Sequence, residues 1–90
     1  MSVTPEDFTE YDWFAEARSR ETTGNLEGAI EAYKESVALN ADFAKGWYYL
    51  AMALHRADRK DEAAECVKKV LALKPDWEKY IKKSMPDLKV

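Results

Sequence analysis

The sequence predicts an all-α chain of antiparallel helical hairpins, about five helices in 90 residues. Three observations carry that prediction. Apolar residues recur at three- and four-residue spacing along the chain, with no strand-like alternation. Only three glycines and three prolines punctuate it. Shifting the sequence by 34 residues aligns it with itself without a gap, and eight of the 34 pairs are identical.

The first helix is expected over about residues 5–21. Thr4 is a good N-cap, Pro5 suits the first helical position, and Asp7 stands where a capping-box acid reaches back. Thr22-Thr23-Gly24-Asn25 reads as a tight turn, with Gly24 free to take the left-handed conformation. A second helix follows over 26–39, with Ala29, Ile30, Tyr33 and Val37 on one face. Asn40-Ala41-Asp42 breaks it, and Asp42 is expected to cap a third helix over 43–57. After a turn at Ala57-Asp58-Arg59, a fourth helix over 60–73 uses Ala63, Ala64, Val67, Val70 and Leu71. Pro75 stops it, Asp76 is expected to cap, and a short fifth helix over about 77–84 ends before Pro86. Every connection is short, so successive helices are expected to be antiparallel neighbours.

Composition narrows the function classes. At 47% apolar and 34% charged, the chain can fill one small core and solubilise a helical surface. The longest apolar run, Trp47 to Leu54, is far shorter than a membrane span. Met-Ser-Val-Thr-Pro-Glu-Asp at the start does not read as a signal peptide, and the lone Cys66 cannot form an internal disulfide. A cytoplasmic setting is therefore expected. Residues 1–43 carry ten acids against three bases, −7, whereas residues 44–90 carry seven acids against eleven bases, +4. This dipolar pattern gives no global attraction to nucleic acid. Lys79, Lys82, Lys83 and Lys89 could face a membrane surface, but their apolar face is too short, and no membrane partner is expected.

The identical pairs are Trp13/Trp47, Ala17/Ala51, Ala29/Ala63, Glu31/Glu65, Lys34/Lys68, Ala38/Ala72, Leu39/Leu73 and Asp42/Asp76. Phe14/Tyr48, Val37/Leu71 and Phe43/Trp77 are conservative. Small residues at Ala17/Ala51 and Ala29/Ala63 allow two helices to approach closely, while the larger side chains fill the space beside them. The helix-turn-helix period of 34 resembles the tetratricopeptide repeat family. In the second unit Trp47, Leu50, Ala51, Leu54, Ala63, Val67, Val70 and Pro75 stand at its signature positions, with Ala51, Leu54, Val67 and Val70 as substitutions. The first unit keeps Trp13, Ala17, Ala29 and Tyr33 but departs at Glu16, Arg20, Ser36 and Ala41. Glu16 and Arg20 are four apart and can pair, and a polar first unit looks like a terminal cap. The resemblance implies one domain over 1–90, with repeats at about 10–43 and 44–77 and a capping helix at about 77–84, stacked as a short right-handed solenoid.

No catalytic constellation is recognisable, so an enzyme is not expected. His55 lacks a second histidine or cysteine nearby for metal binding and a placed nucleophile for acid–base work. Cys66 shares a face with Ala63 and Val70 and reads as packing. Gly24 and Gly28 flank a helix start without the lysine of a phosphate loop. No cofactor and no metal are expected.

The resemblance does imply a peptide-binding surface, because the first helix of each hairpin lines a concave face in such arrays. By register, Tyr11, Phe14, Arg18, Lys45, Tyr48, Tyr49, Met52, His55, Arg56, Lys79, Lys82 and Lys83 fall at or near it. Phe14 and Tyr49 could equally belong to the core between hairpins. These twelve positions hold six Arg or Lys and no Asp or Glu, which suits an acidic, partly apolar peptide segment of a protein partner. Family members that clamp chaperone C-termini need residues that Phe14, Arg18 and Tyr49 do not supply; only Lys79 and Lys83 agree. The alternative is self-assembly into a homodimer or scaffold through Trp77, Tyr80 and Ile81, since two repeats are few for a solenoid and the ends carry opposite charge.

Overall fold

The computed structural model describes residues 4–88, so the signal-peptide reading at residues 1–3 and the role of Lys89 lie outside the described residues. Five α-helices, and no strand, occur among the described residues: α1 Glu10–Thr22, α2 Leu26–Leu39, α3 Ala44–Arg56, α4 Lys60–Leu73 and α5 Glu78–Ser84. Short 3-10 turns at Pro5–Asp7 and Pro75–Trp77 precede α1 and α5. The repeat is exact at the level of boundaries. α3 begins and ends 34 residues after α1, α4 does so after α2, and α5 begins 34 residues after α3.

The turns inside the hairpins repeat at the same offset. Gly24 (φ 84°) and Asp58 (φ 60°) both take the left-handed conformation, which glycine tolerates freely and aspartate tolerates better than most residues. After α1, the Gly24 and Asn25 N–H groups donate to the carbonyls of Glu21 and Arg20, at 3.1 and 2.8 Å. After α3, Asp58 and Arg59 donate to His55 and Leu54, at 3.1 and 2.9 Å. Each helix end thus satisfies carbonyls that would otherwise be orphaned while the chain reverses.

Three capping expectations need correction. Thr4 does not open a helix over 5–21; its hydroxyl reaches Asp7 (3.0 Å), but the turn ends at an extended Phe8. A second box with the same spacing wins. Thr9 Oγ1 accepts from the Asp12 N–H (3.2 Å), Asp12 accepts from the Thr9 N–H (2.9 Å), and Phe8 packs edge-on against Trp13 at 5.0 Å. That adds the hydrophobic contact from before the cap to the first turn, which Thr4 lacks. Asp42 and Asp76 do not cap α3 and α5 either. The cap positions are Phe43 and Trp77, neither of which makes a side-chain cap hydrogen bond, and both rings pack on aromatics of the preceding hairpin.

α1 packs on α2, α3 on α4, and α2 on α3, so the hairpins stack along the long axis of a 44 × 26 × 17 Å body. Ala17, Ala29, Ala51 and Ala63 are all fully buried, where their lack of bulk lets backbones approach. Ile30, Tyr33, Leu50, Leu54, Val67 and Val70 fill the layers between them. The departures in the first unit make polar ties within its own hairpin. Arg20 Nε meets Glu16 at 2.8 Å and Arg20 Nη1 donates to the Gly28 carbonyl at 2.9 Å. Buried Ser36 donates to the Glu10 carbonyl at 2.7 Å. At the other end Ile81 is buried within the chain, so this member of the expected self-assembly surface is already covered.

Close packing at the alanines predicts a selective effect. Ala51→Leu should destabilise the chain by about 1–3 kcal/mol through overpacking, whereas Ala15→Leu, at an exposed site on α1, should change stability by less than about 0.5 kcal/mol. Urea unfolding followed by circular dichroism checks the pair.

Candidate functional site

The face formed by α1, α3 and α5 carries a continuous line of aromatic rings. Phe43 caps α3 and meets Tyr11 at 5.3 Å and Phe14 at 5.6 Å, both on α1. Phe14 meets Tyr49 at 5.0 Å, Tyr49 meets Tyr48 at 6.0 Å, and Tyr48 meets Trp77 at 6.0 Å. Most of these are edge-on, the arrangement that the ring quadrupole favours. The Phe14–Phe43 contact and the Tyr48–Trp77 contact are the same contact one repeat apart. Phe14 also touches the buried Tyr33 ring at 5.7 Å, so it belongs to both the core and the face.

The line ends in an open cleft of ≈ 420–430 Å³ scale between α3 and α5; its volume is ≈ 430 Å³ and its walls are Lys45, Tyr48, Tyr49, Trp77 and Tyr80. Tyr80 is 50% exposed. Lys45 Nζ lies 5.3 Å from the centre of the Phe14 ring and Lys79 Nζ lies 5.2 Å from that of Tyr80. Each ammonium is thereby held near an aromatic face by the ring's negative quadrupole.

The cations expected on this face divide into two groups. Arg56 and Tyr33 both donate to the carboxylate of Glu21, and Arg18 approaches it at 3.8 Å while lying 4.9 Å over the Tyr49 ring. The Glu21 side chain is only 9% exposed. Burial, followed by the hydrogen bond to Glu21, holds the Tyr33 phenol well above its ordinary pKa, so it stays a donor. His55 Nε2 and Lys60 Nζ hold Asp87, at 2.8 and 3.0 Å, and Lys82 pairs with Glu78 at 3.4 Å. The hydrogen bonds from Lys60 and His55 pull the Asp87 carboxyl down to about 2, so it is ionised at ordinary pH. Lys45, Lys79 and Lys83 have no carboxylate within 4.0 Å among the described residues. The unneutralised positive charge therefore sits around the cleft.

The structure thus brings together Lys45, Tyr48, Tyr49 and Lys79 at the cleft, with Tyr11 and Phe14 continuing the aromatic line. Arg18 and Arg56 lie beside them but are engaged by Glu21. Met52 is half-buried, between the turns of α3 that bear Tyr48 and His55. Lys82 and Lys83 are exposed on α5. Three residues of this face were absent from the sequence expectation: Glu21, Trp77 and Tyr80. The 34-residue register contains the signal for two of them, since Glu21 is the counterpart of His55 and Trp77 is the counterpart of Phe43.

Elsewhere the chemistry is sparse. Cys66 is buried, and burial pushes its thiol up to about 11, which leaves it protonated and unreactive at neutral pH. No group of three His, Cys, Asp or Glu able to hold a metal occurs among the described residues. No helix among them is long and apolar enough to cross a membrane.

A tetratricopeptide repeat model matches residues 14–76, most of the chain. The chain belongs to the tetratricopeptide repeat family. Its repeats generally mediate protein–protein interaction or scaffolding and are generally non-catalytic. No curated protein matches the chain significantly.

The Glu21 cluster yields a test by double-mutant cycle. Glu21→Ala should cost about 1–3 kcal/mol because it leaves the buried Tyr33 hydroxyl without its acceptor. Adding Tyr33→Phe to Glu21→Ala should be close to neutral, and the cycle should show a coupling above about 0.5 kcal/mol in equilibrium unfolding.

Proposed function

We propose that this tetratricopeptide repeat chain is a protein-interaction module that seats an acidic, partly apolar peptide segment in the cleft between α3 and α5. One observation carries the reading: a ≈ 430 Å³ cleft walled by Tyr48, Tyr49, Trp77, Tyr80 and Lys45, flanked by lysines that no carboxylate neutralises. A space of that size admits one large side chain, and burying such a side chain contributes roughly 1.5–3 kcal/mol. Tyrosine and tryptophan walls supply contact area at low conformational-entropy cost. Lys45, Lys79 and Lys83 then favour carboxylates flanking the buried anchor. Exposed lysine–carboxylate pairs contribute only about 0–1 kcal/mol each, so the aromatic anchor supplies affinity and the lysines supply selectivity.

The division of roles sets the experiment. A panel of immobilised peptides pairs one leucine or tryptophan anchor with flanking aspartates and glutamates, or with lysines. The acidic peptides should bind and the basic ones should not. Binding should weaken at least about tenfold in Tyr48→Ala and in Lys79→Glu, and should decline as salt rises. Equal binding of the basic peptides, or affinity untouched by both substitutions in a folded protein, would remove the cleft as the binding site.

A further inference from the structure

The segment that follows α5 folds back onto the same face. Ser84 Oγ lies 2.5 Å from the Tyr48 hydroxyl. Beyond it the Leu88 N–H closes a turn onto the Met85 carbonyl at 3.1 Å. Asp87, at the tip of that turn, sits between His55 Nε2 (2.8 Å) and Lys60 Nζ (3.0 Å). Met85 is only 1% exposed and Leu88 packs against the core. Tyr48 and His55 are seven residues apart on α3, a rise of about 10 Å, so the segment follows α3 for two helical turns. It therefore takes up the part of the face that holds Met52 and His55, immediately next to the open cleft.

The chemistry of this occupant is that of the ligand inferred for the cleft. It offers an apolar side chain, a carboxylate two residues on, and a second apolar side chain. Its receptor is equally specific, because His55 and Lys60 find their acidic partner in Asp87 alone among the described residues. Asp87 is exposed and its pairs are solvent-accessible, the kind of ion pair that holds a segment least firmly. Met85 is the one wholly buried residue of the turn.

We propose that the His55–Lys60 site is a second peptide seat, occupied in cis by Met85–Leu88, and that an acidic-apolar segment gains it by displacing this turn. The proposal rests on the cleft reading and adds regulation to it: the groove is half closed by the chain itself. A tethered occupant competes at a high effective concentration, and the apparent affinity of an incoming segment falls in proportion to the fraction of open seats.

The test uses the full chain and a labelled synthetic peptide with the sequence of residues 83–88. Asp87→Lys places a cation against His55 and Lys60 at an exposed position, which expels the turn while leaving α5 intact. Fluorescence anisotropy should show the peptide binding this variant about tenfold more tightly than the unaltered chain. Adding Lys60→Glu should abolish the gain, and hydrogen exchange at the Leu88 amide should accelerate in Asp87→Lys. No gain in affinity, or unchanged exchange at Leu88, overturns the proposal. The cleft reading is judged separately, since binding of the acidic panel that responds to Lys79→Glu but not to Asp87→Lys leaves the cleft standing and removes only the second seat.

Discussion

The close approach of helices at four fully buried alanines is the constraint on which the rest of the molecule depends. Ala17 and Ala29 meet across the first hairpin, and Ala51 and Ala63 occupy the same places in the second. A larger side chain at any of them would push the helices apart and take the flanking layers of Ile30, Tyr33, Leu54 and Val67 out of contact. Because the alanines recur at 34 residues, the helix boundaries, the left-handed turn residues and the aromatic seats recur at 34 as well. The stacking follows from this packing and fixes which side of each helix faces outward.

That orientation makes the functional face. With α1, α3 and α5 in register, Phe43 lands on Phe14 and Trp77 lands on Tyr48, so two local contacts become one aromatic line across three helices. The same register brings Arg56 of the second hairpin to Glu21 of the first. Glu21 therefore joins the hairpins and also removes two arginines from the pool of available charge. Lys45, Lys79 and Lys83 are left around the cleft, and the selectivity proposed for it comes from this subtraction as much as from the lysines themselves. His55 is spent in the same way on Asp87.

Much of the fold was legible because its signals are local. α2 and α4 lie at the expected residues, since apolar periodicity, a turn and a proline or asparagine bound them on both sides. The start of α1 was not, because Thr4-x-x-Asp7 and Thr9-x-x-Asp12 offer the same cap and only the packing of Phe8 on Trp13 decides between them. Asp42 and Asp76 mislead for a related reason. Each stands one residue before the cap, and the aromatic that follows is placed by a contact distant in sequence. The cleft's Lys45, Tyr48 and Tyr49 could be read from helical spacing. Glu21 reads as one more surface acid until the second hairpin supplies Arg56. Coverage of the Met52–His55 stretch depends on the path of Met85–Leu88 after the last helix, for which periodicity carries no signal.

The claim that most needs measurement is the register of one hairpin on the other. Nuclear Overhauser contacts between ring protons report it directly. The account predicts contacts from Phe14 to both Phe43 and Tyr49, together with contacts from Tyr48 to Trp77, whose ring centres lie 5.6, 5.0 and 6.0 Å apart. Two helical hairpins that each show their internal contacts, with no contact from Phe14 to Tyr49 or from Tyr48 to Trp77, would contradict the stacking and the face built on it.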